Sequence, residues 1–208
     1  MIDIHLRMGL ILLQTVMAPQ TPPDLKHNGT AKILSRSFTL FPFDRKTCNE
    51  TVDAKATLTG NTLHLMYSVP VSLTGTVSDC CLDTFQRKNE LWKTNCLELF
   101  TGSTGEPGYL EYNFSFTGDW NCYRFDSYRK AMRKETAVEL NAFSCTCCDD
   151  RAAFRICTTV PEYMSLPVVA CPTAVIIDST TAQPHYFAPA HPDDKADFHL
   201  ATIRVPIG

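Results

Sequence analysis

Three short segments in the middle of the chain carry side chains able to hold the hydroxyls of a sugar. Residues 96–100 read CLELF, residues 109–116 read YLEYNFSF, and residues 120–126 read WNCYRFD. Side chains alternate across a strand. In the first segment Leu97 and Leu99 therefore oppose Cys96, Glu98 and Phe100. In the second, Leu110, Tyr112, Phe114 and Phe116 oppose Tyr109, Glu111, Asn113 and Ser115. In the third, Asn121, Tyr123 and Phe125 oppose Trp120, Cys122, Arg124 and Asp126. As neighbouring strands, the three are expected to gather Glu98, Glu111, Asn113, Trp120 and Arg124 on one face. Carboxylates, an amide and a guanidinium bond hydroxyl pairs, and an indole plane stacks on the apolar face of a pyranose. Trp92, just ahead of the first segment, offers a second plane at the rim. The plainer alternative is a solvated sheet face on which Glu and Arg form a cross-strand ion pair worth under about 1 kcal/mol.

Two carboxylates also raise glycoside hydrolysis, which needs acids flanking a bond. Nothing in the sequence marks either Glu98 or Glu111 as desolvated, so a non-catalytic role is favoured. His191, Asp197 and His199 form the weak metal candidates, set against a Pro-Asp-Asp turn in which side chains bond the backbone instead. Cys145 and Cys148 make a CxxC, but the second pair that a structural zinc site wants is missing, so no metal is expected. No Gly-x-Ser-x-Gly elbow, phosphate-binding glycine loop or basic aromatic stripe for nucleic acid occurs.

These residues need strands to position them, and the rest of the chain supplies strand signals. Polar and apolar residues alternate at 37–40. Two further strands at 55–58 and 62–67 flank Gly60-Asn61, a hairpin turn signal. Turns at 101–108 and 118–119 join the three central segments into an antiparallel meander. Residues 130–140 read as one helical turn or a strand, and 74–90 as a loop. Later strands follow at 154–159, 174–178, 185–188 and 202–205. Nine or ten short strands, with no long window of helical period, predict an all-β antiparallel sandwich of the jelly-roll or immunoglobulin-like kind over residues 35–208. Residues 1–34 are expected to be a poorly ordered leader or linker, rich in proline at its end.

The chain has 208 residues, with 44% hydrophobic and 20% charged residues and a net charge of −3. This excludes collagen-like, disordered and polybasic classes. The apolar run at 8–18 is too short to span a bilayer. It resembles a secretory leader but is broken by Gln14 and followed by Pro19, so a cytoplasmic location is favoured over secreted or periplasmic export. Ten cysteines are read as mostly free thiols. Asn28, Asn49 and Asn113 begin glycosylation sequons.

The strings 91–100 (LWKTNCLELF), 108–115 (GYLEYNFS) and 118–129 (GDWNCYRFDSYR), with the closing stretch 186–199, resemble the bacterial DOMON-like domain proteins, which are similar to the family-9 carbohydrate-binding module. The resemblance covers about residues 36–205. It implies a single β-sandwich that binds a mono- or oligosaccharide or a haem. By the resemblance Glu98 is the motif acid, and Glu111 and Asn113 take the next strand's polar positions. Trp92 and Trp120 are the candidate stacking planes, and Arg124 and Arg129 the basic groups. For haem the candidate ligands are His64, Met66, Met132 and His191. The residues themselves identify no cofactor.

Overall fold

The computed structural model describes residues 32–208 apart from 76, 78, 79, 83 and 167, and of 80–82 it describes the backbone alone. The expected leader at 1–34 therefore falls almost wholly outside the described residues. Strand begins at Ile33. Thirteen strands follow among the described residues: β1 (Ile33–Pro42), β2 (Val52–Thr59), β3 (Thr62–Pro70), β4 (Cys80–Leu82), β5 (Cys96–Ser103), β6 (Tyr109–Ser115), β7 (Trp120–Phe125), β8 (Arg133–Lys134), β9 (Leu140–Cys148), β10 (Arg151–Thr159), β11 (Val168–Ile177), β12 (Pro184–Ala188) and β13 (Val205–Pro206). Among the described residues the helical content is a four-residue turn at Val71–Thr74 and two single 3-10 turns, at Leu91–Lys93 and Ala201–Ile203. No helix of the described residues is long and apolar enough to cross a membrane.

The hairpin expected at Gly60-Asn61 joins β2 to β3, with Gly60 at φ +59°, a region glycine enters without steric cost. Leu58 faces Leu63 and Ala56 faces Leu65 across it, so the buried residues of both strands share one side. The strand order is β4-β9-β10-β3-β2-β1-β12-β11-β5-β6-β7-β8, with β13 beside β11. Two antiparallel halves meet where Phe41 and Pro42 of β1 pair with Ala188 and Phe187 of β12. The result is nearly all β, a curled antiparallel sheet that makes a half-barrel. Three local expectations shift. Of residues 130–140 only Arg133–Lys134 of β8 and Leu140, the first residue of β9, are strand, 74–90 contains β4, and the strand expected at 202–205 is a 3-10 turn at Ala201–Ile203 followed by the two-residue β13.

The concave side is the main core. Leu65, Tyr67 and Phe154 from one half meet Leu97, Leu99, Tyr112 and Phe114 from the other. Each large apolar side chain buried here contributes roughly 1.5–3 kcal/mol. A second cluster lies on the opposite face of β5, β6, β7 and β11, where Cys96, Phe100, Tyr109, Phe125, Cys171 and Val175 are covered by Leu91, Phe198 and Ile203. The second cluster explains why every residue of β6 is buried. The face that alternation marks as polar is roofed by chain that arrives from residues 91–93 and 196–204.

Candidate functional site

Glu98 and Glu111 sit on that roofed face. Glu98 of β5 pairs with Asn113 of β6, and Glu111 pairs with Phe100, so the two acids are diagonal neighbours on adjacent strands. Between them and the roof lies a hollow of about 410 Å³, lined by Trp92, Glu98, Glu111, Arg129, Tyr186 and His199, with Phe100, Phe125, Met132, Val175, Ala196 and Phe198 completing the wall. Its size is in the range of small-ligand sites.

Each wall is held by identifiable contacts. Trp92 belongs to the 3-10 turn Leu91–Lys93, which Glu90 enters at φ +60°. The amide oxygen of Asn95 accepts the Ile177 N–H at 2.7 Å and ties this turn to β11. The half-buried Trp92 ring stands edge-on to Tyr123 at 5.7 Å. On the other side, Asp197 anchors the closing segment. Its carboxylate accepts hydrogen bonds from Arg129 Nη2 at 3.0 Å, from the His199 N–H at 3.0 Å and from the Tyr128 hydroxyl. The His199 ring is enclosed edge-to-face by Phe100 at 5.0 Å and Phe125 at 5.3 Å, and its Nδ1 is 2.7 Å from the Tyr109 hydroxyl.

The electrostatics follow from this enclosure. Burial, and then the charge of Glu111, push the Glu98 carboxyl well above its ordinary value. Burial also raises Glu111, while the Asn113 amide, bonded to it at 2.8 Å, and Arg129 pull the other way. Burial, with Arg129 and Arg204 nearby, lowers His199 to about 4. His199 Nε2 lies 3.9 Å from Glu111, but the ring is therefore uncharged at neutral pH and forms no ion pair there. Burial works against the Asp197 carboxylate, yet bonds from Tyr128, His199 N–H and Arg129 hold it below its ordinary value.

Trp92, Glu98 and Glu111 thus come together, as do Arg129 and His199. Asn113 does not line the hollow. It is fully buried, donates to Glu111 and accepts the Cys96 thiol at 3.4 Å, so it orients Glu111. The same burial closes the Asn113 sequon to a glycan in the folded protein, Asn49 is exposed, and Asn28 lies outside the described residues.

Trp120 and Arg124 stand on the opposite face from the one expected. Asn113 pairs with Asn121 and Glu111 with Tyr123, which puts Trp120 beside Phe114 and Arg124 beside Leu110. Directly paired residues point to the same side. Trp120 is accordingly part of the main core, with the Arg87 guanidinium 4.0 Å over its ring. Arg124 lies 4.5 Å over the Tyr163 ring and lines a separate hollow with Ser103, Gly108 and Tyr163. The shift comes from the turn after β6. Gly118 adopts φ +84°, its N–H donates to Ser115 O at 3.1 Å, and the Ser115 N–H donates to Asp119 O at 2.8 Å. A one-residue change of register moves a whole strand to the other face.

The metal candidates separate too. His191 Nε2 lies 2.8 Å from Phe41 O, and Asp197 and His199 are engaged as described, with Asp197 bonding backbone as in the turn alternative. Among the described residues no three His, Cys, Asp or Glu side chains converge. Cys145 is buried and Cys148 exposed on the same strand, as an i, i+3 spacing on β9 requires. Of the haem-ligand candidates, His64 and Met66 line the outer surface of β3 with Lys55 and Arg155, and only Met132 reaches the hollow. The aromatic walls Phe100, Phe125 and Phe198 were missed as site residues. Phe100 carried a signal, since it alternates onto the face of Glu98, whereas Phe125 alternates with Tyr123, on the side of β7 expected to face away from the site.

No family model matches the chain, and no curated protein matches it. Among solved structures it is similar to a protein of Bacteroides uniformis described as a "putative carbohydrate-binding protein", with a TM-score of 0.56 and 11% identity over 84% of each chain. At that identity the likeness is one of fold.

Proposed function

We propose that the protein is a non-catalytic carbohydrate-binding module that seats a mono- or short oligosaccharide in the hollow over β5 and β6. The observation that carries this reading is the pairing of two buried carboxylates, Glu98 and Glu111, with the Trp92 ring around one cavity of about 410 Å³. Carboxylate oxygens accept hydroxyl hydrogen bonds, and the indole covers an apolar ring face. The description of the structural neighbour from Bacteroides uniformis agrees in kind. We further read the two halves of the half-barrel as the layers of a β-sandwich, and residues 35–208 as a domain of the DOMON-like class similar to family 9. The buried thiols of Cys96, Cys122 and Cys171 support a cytoplasmic location, where thiols stay reduced.

One observation favours a second reading, hydrolysis. Glu98 is desolvated and raised, as a general acid must be. Against it, Glu98 and Glu111 occupy neighbouring positions on one floor, whereas a glycosidase sets its acids on either side of the bond. Calorimetric titration with mono- and disaccharides, beside turnover of chromogenic glycosides, separates the two. Binding that disappears in Trp92→Ala and Glu98→Gln, with no turnover, is the expected result. Turnover abolished in Glu98→Gln would replace binding by catalysis, and silence in both assays would leave an interaction domain.

A further inference from the structure

The floor of the hollow holds two buried acids that the protein leaves short of partners. Among the described residues, Glu98 receives one side-chain hydrogen bond, from Thr173 at 3.2 Å, and Glu111 one, from Asn113 at 2.8 Å. A carboxylate has room for about four. The other groups facing the pair from each packed element do not close the deficit. Arg129 lines the hollow but is paired with Asp197, whose side chain is 1% exposed. His199 is uncharged. Arg204 lies 4.3 Å over the Tyr109 ring and donates to His199 O at 2.9 Å. The thiols of Cys96 and Cys171 are raised by burial and stay neutral. Tyr109 also keeps its proton, since burial raises it.

A ligand that enters this hollow meets two half-satisfied acids, and among the described residues that line it the one cation, Arg129, is paired with Asp197. A sugar acid would set a further acidic group beside them. A neutral sugar would supply hydrogen bonds but no positive charge, so burial would go on disfavouring the ionised acids. An ammonium group supplies three donors and a positive charge that favours both acids in their ionised form, and charge-assisted hydrogen bonds are roughly twice as strong as neutral ones. Trp92 at the wall, with Tyr186 exposed at the mouth, suits a flat apolar ring face attached to that ammonium.

We propose that the hollow selects amino sugars, with the protonated amine of a 2-amino-2-deoxyhexose, free or at the end of an oligomer, seated between Glu98 and Glu111 and its ring against Trp92. This rests on the sugar-binding reading and narrows it to a cationic ligand class. The test is calorimetry on the full chain at pH 7 with glucosamine, glucose, N-acetylglucosamine, glucuronate and a plain alkylamine. Glucosamine should bind at least tenfold tighter than each of the others. Glu98→Gln and Glu111→Gln, which keep the size of the side chain, should each bring glucosamine to within threefold of glucose. Two variants are used so that a folding defect in one does not decide the result, and circular dichroism checks both. Glucose or N-acetylglucosamine binding within twofold of glucosamine would overturn the amine selectivity and leave the sugar site standing. Equal binding of the alkylamine would overturn the need for a ring. No binding of any sugar by the wild-type protein would remove both the selectivity and the site.

Discussion

Replacing Trp120 by alanine should unfold the protein well before it affects any ligand, and replacing Trp92 should do the opposite. Trp120 is 6% exposed and packs in the main core beside Phe114. Removing such a side chain costs about 3–5 kcal/mol in lost transfer energy and residual cavity. The Arg87 guanidinium 4.0 Å away loses a cation–π contact worth about 0.5–2 kcal/mol. The total of roughly 4–6 kcal/mol corresponds to a Tm lower by about 10–20 °C for a chain of this size. Trp92 is half-buried and loses chiefly its edge contact with Tyr123, about 1 kcal/mol and only a few degrees. Its removal should weaken sugar binding by thirtyfold or more, since a central aromatic anchor carries about 2 kcal/mol or above. Circular dichroism melts and calorimetry on the two variants make the comparison. These are the two tryptophans of the chain. In Trp120→Phe the emission therefore reports Trp92 alone and should shift as sugar is added. A Trp120→Ala protein that melts normally but no longer binds, with Trp92→Ala binding as before, would refute the observed pairing of β6 with β7 as the basis of the site.

The remaining predictions concern the acids and the closing segment. Asp197→Ala strands the Tyr128 hydroxyl, the His199 N–H and Arg129; the half-exposed arginine is screened, so the cost should be about 2 kcal/mol in urea unfolding, with sugar affinity falling because Phe198 and His199 lose their anchor. Glu98 is raised in the folded state, so the folded protein holds more protons than the unfolded chain above pH 4.5, and stability falls as pH rises toward the folded value; Glu98→Gln should be the more stable protein at pH 8 and lose that slope, and parallel wild-type and variant curves would count against a raised Glu98. His199 acts in the other direction. Lowered from 6.5 to about 4, it is neutral when folded, so acidification through that window should cost roughly 2–3 kcal/mol, and His199→Gln should remove the loss in denaturation curves at pH 4.5–7.

Much of this architecture was readable one strand at a time. The alternation of Leu97 and Leu99 against Glu98, and of Tyr112 and Phe114 against Glu111 and Asn113, assigns each residue to the side it occupies, because successive side chains must point in opposite directions. The turn at Gly60-Asn61 was equally local. Within β7 the division of Trp120 and Cys122 from Asn121 and Tyr123 was also correct. The error lay between strands. Which side of β7 continues the Glu98 face depends on how residues 116–119 turn, and the left-handed Gly118, donating to Ser115 O while the Ser115 N–H donates to Asp119 O, selects the register that carries Trp120 into the core.

What the sequence determined alone is therefore the set of acids and aromatics and their order along each strand, since the covalent geometry of an extended chain imposes a period of two. Tertiary structure decided that the face bearing Glu98 and Glu111 is a roofed hollow and not open water. The roof is built from residues 91–93 and 196–204, far apart in the chain, and the bonds that hold it, Asn95 to Ile177 and Asp197 to Arg129 and Tyr128, span 68 to 82 positions. The desolvation that raises the two carboxyls and empties His199 of charge comes from that long-range closure, which no local pattern of residues encodes.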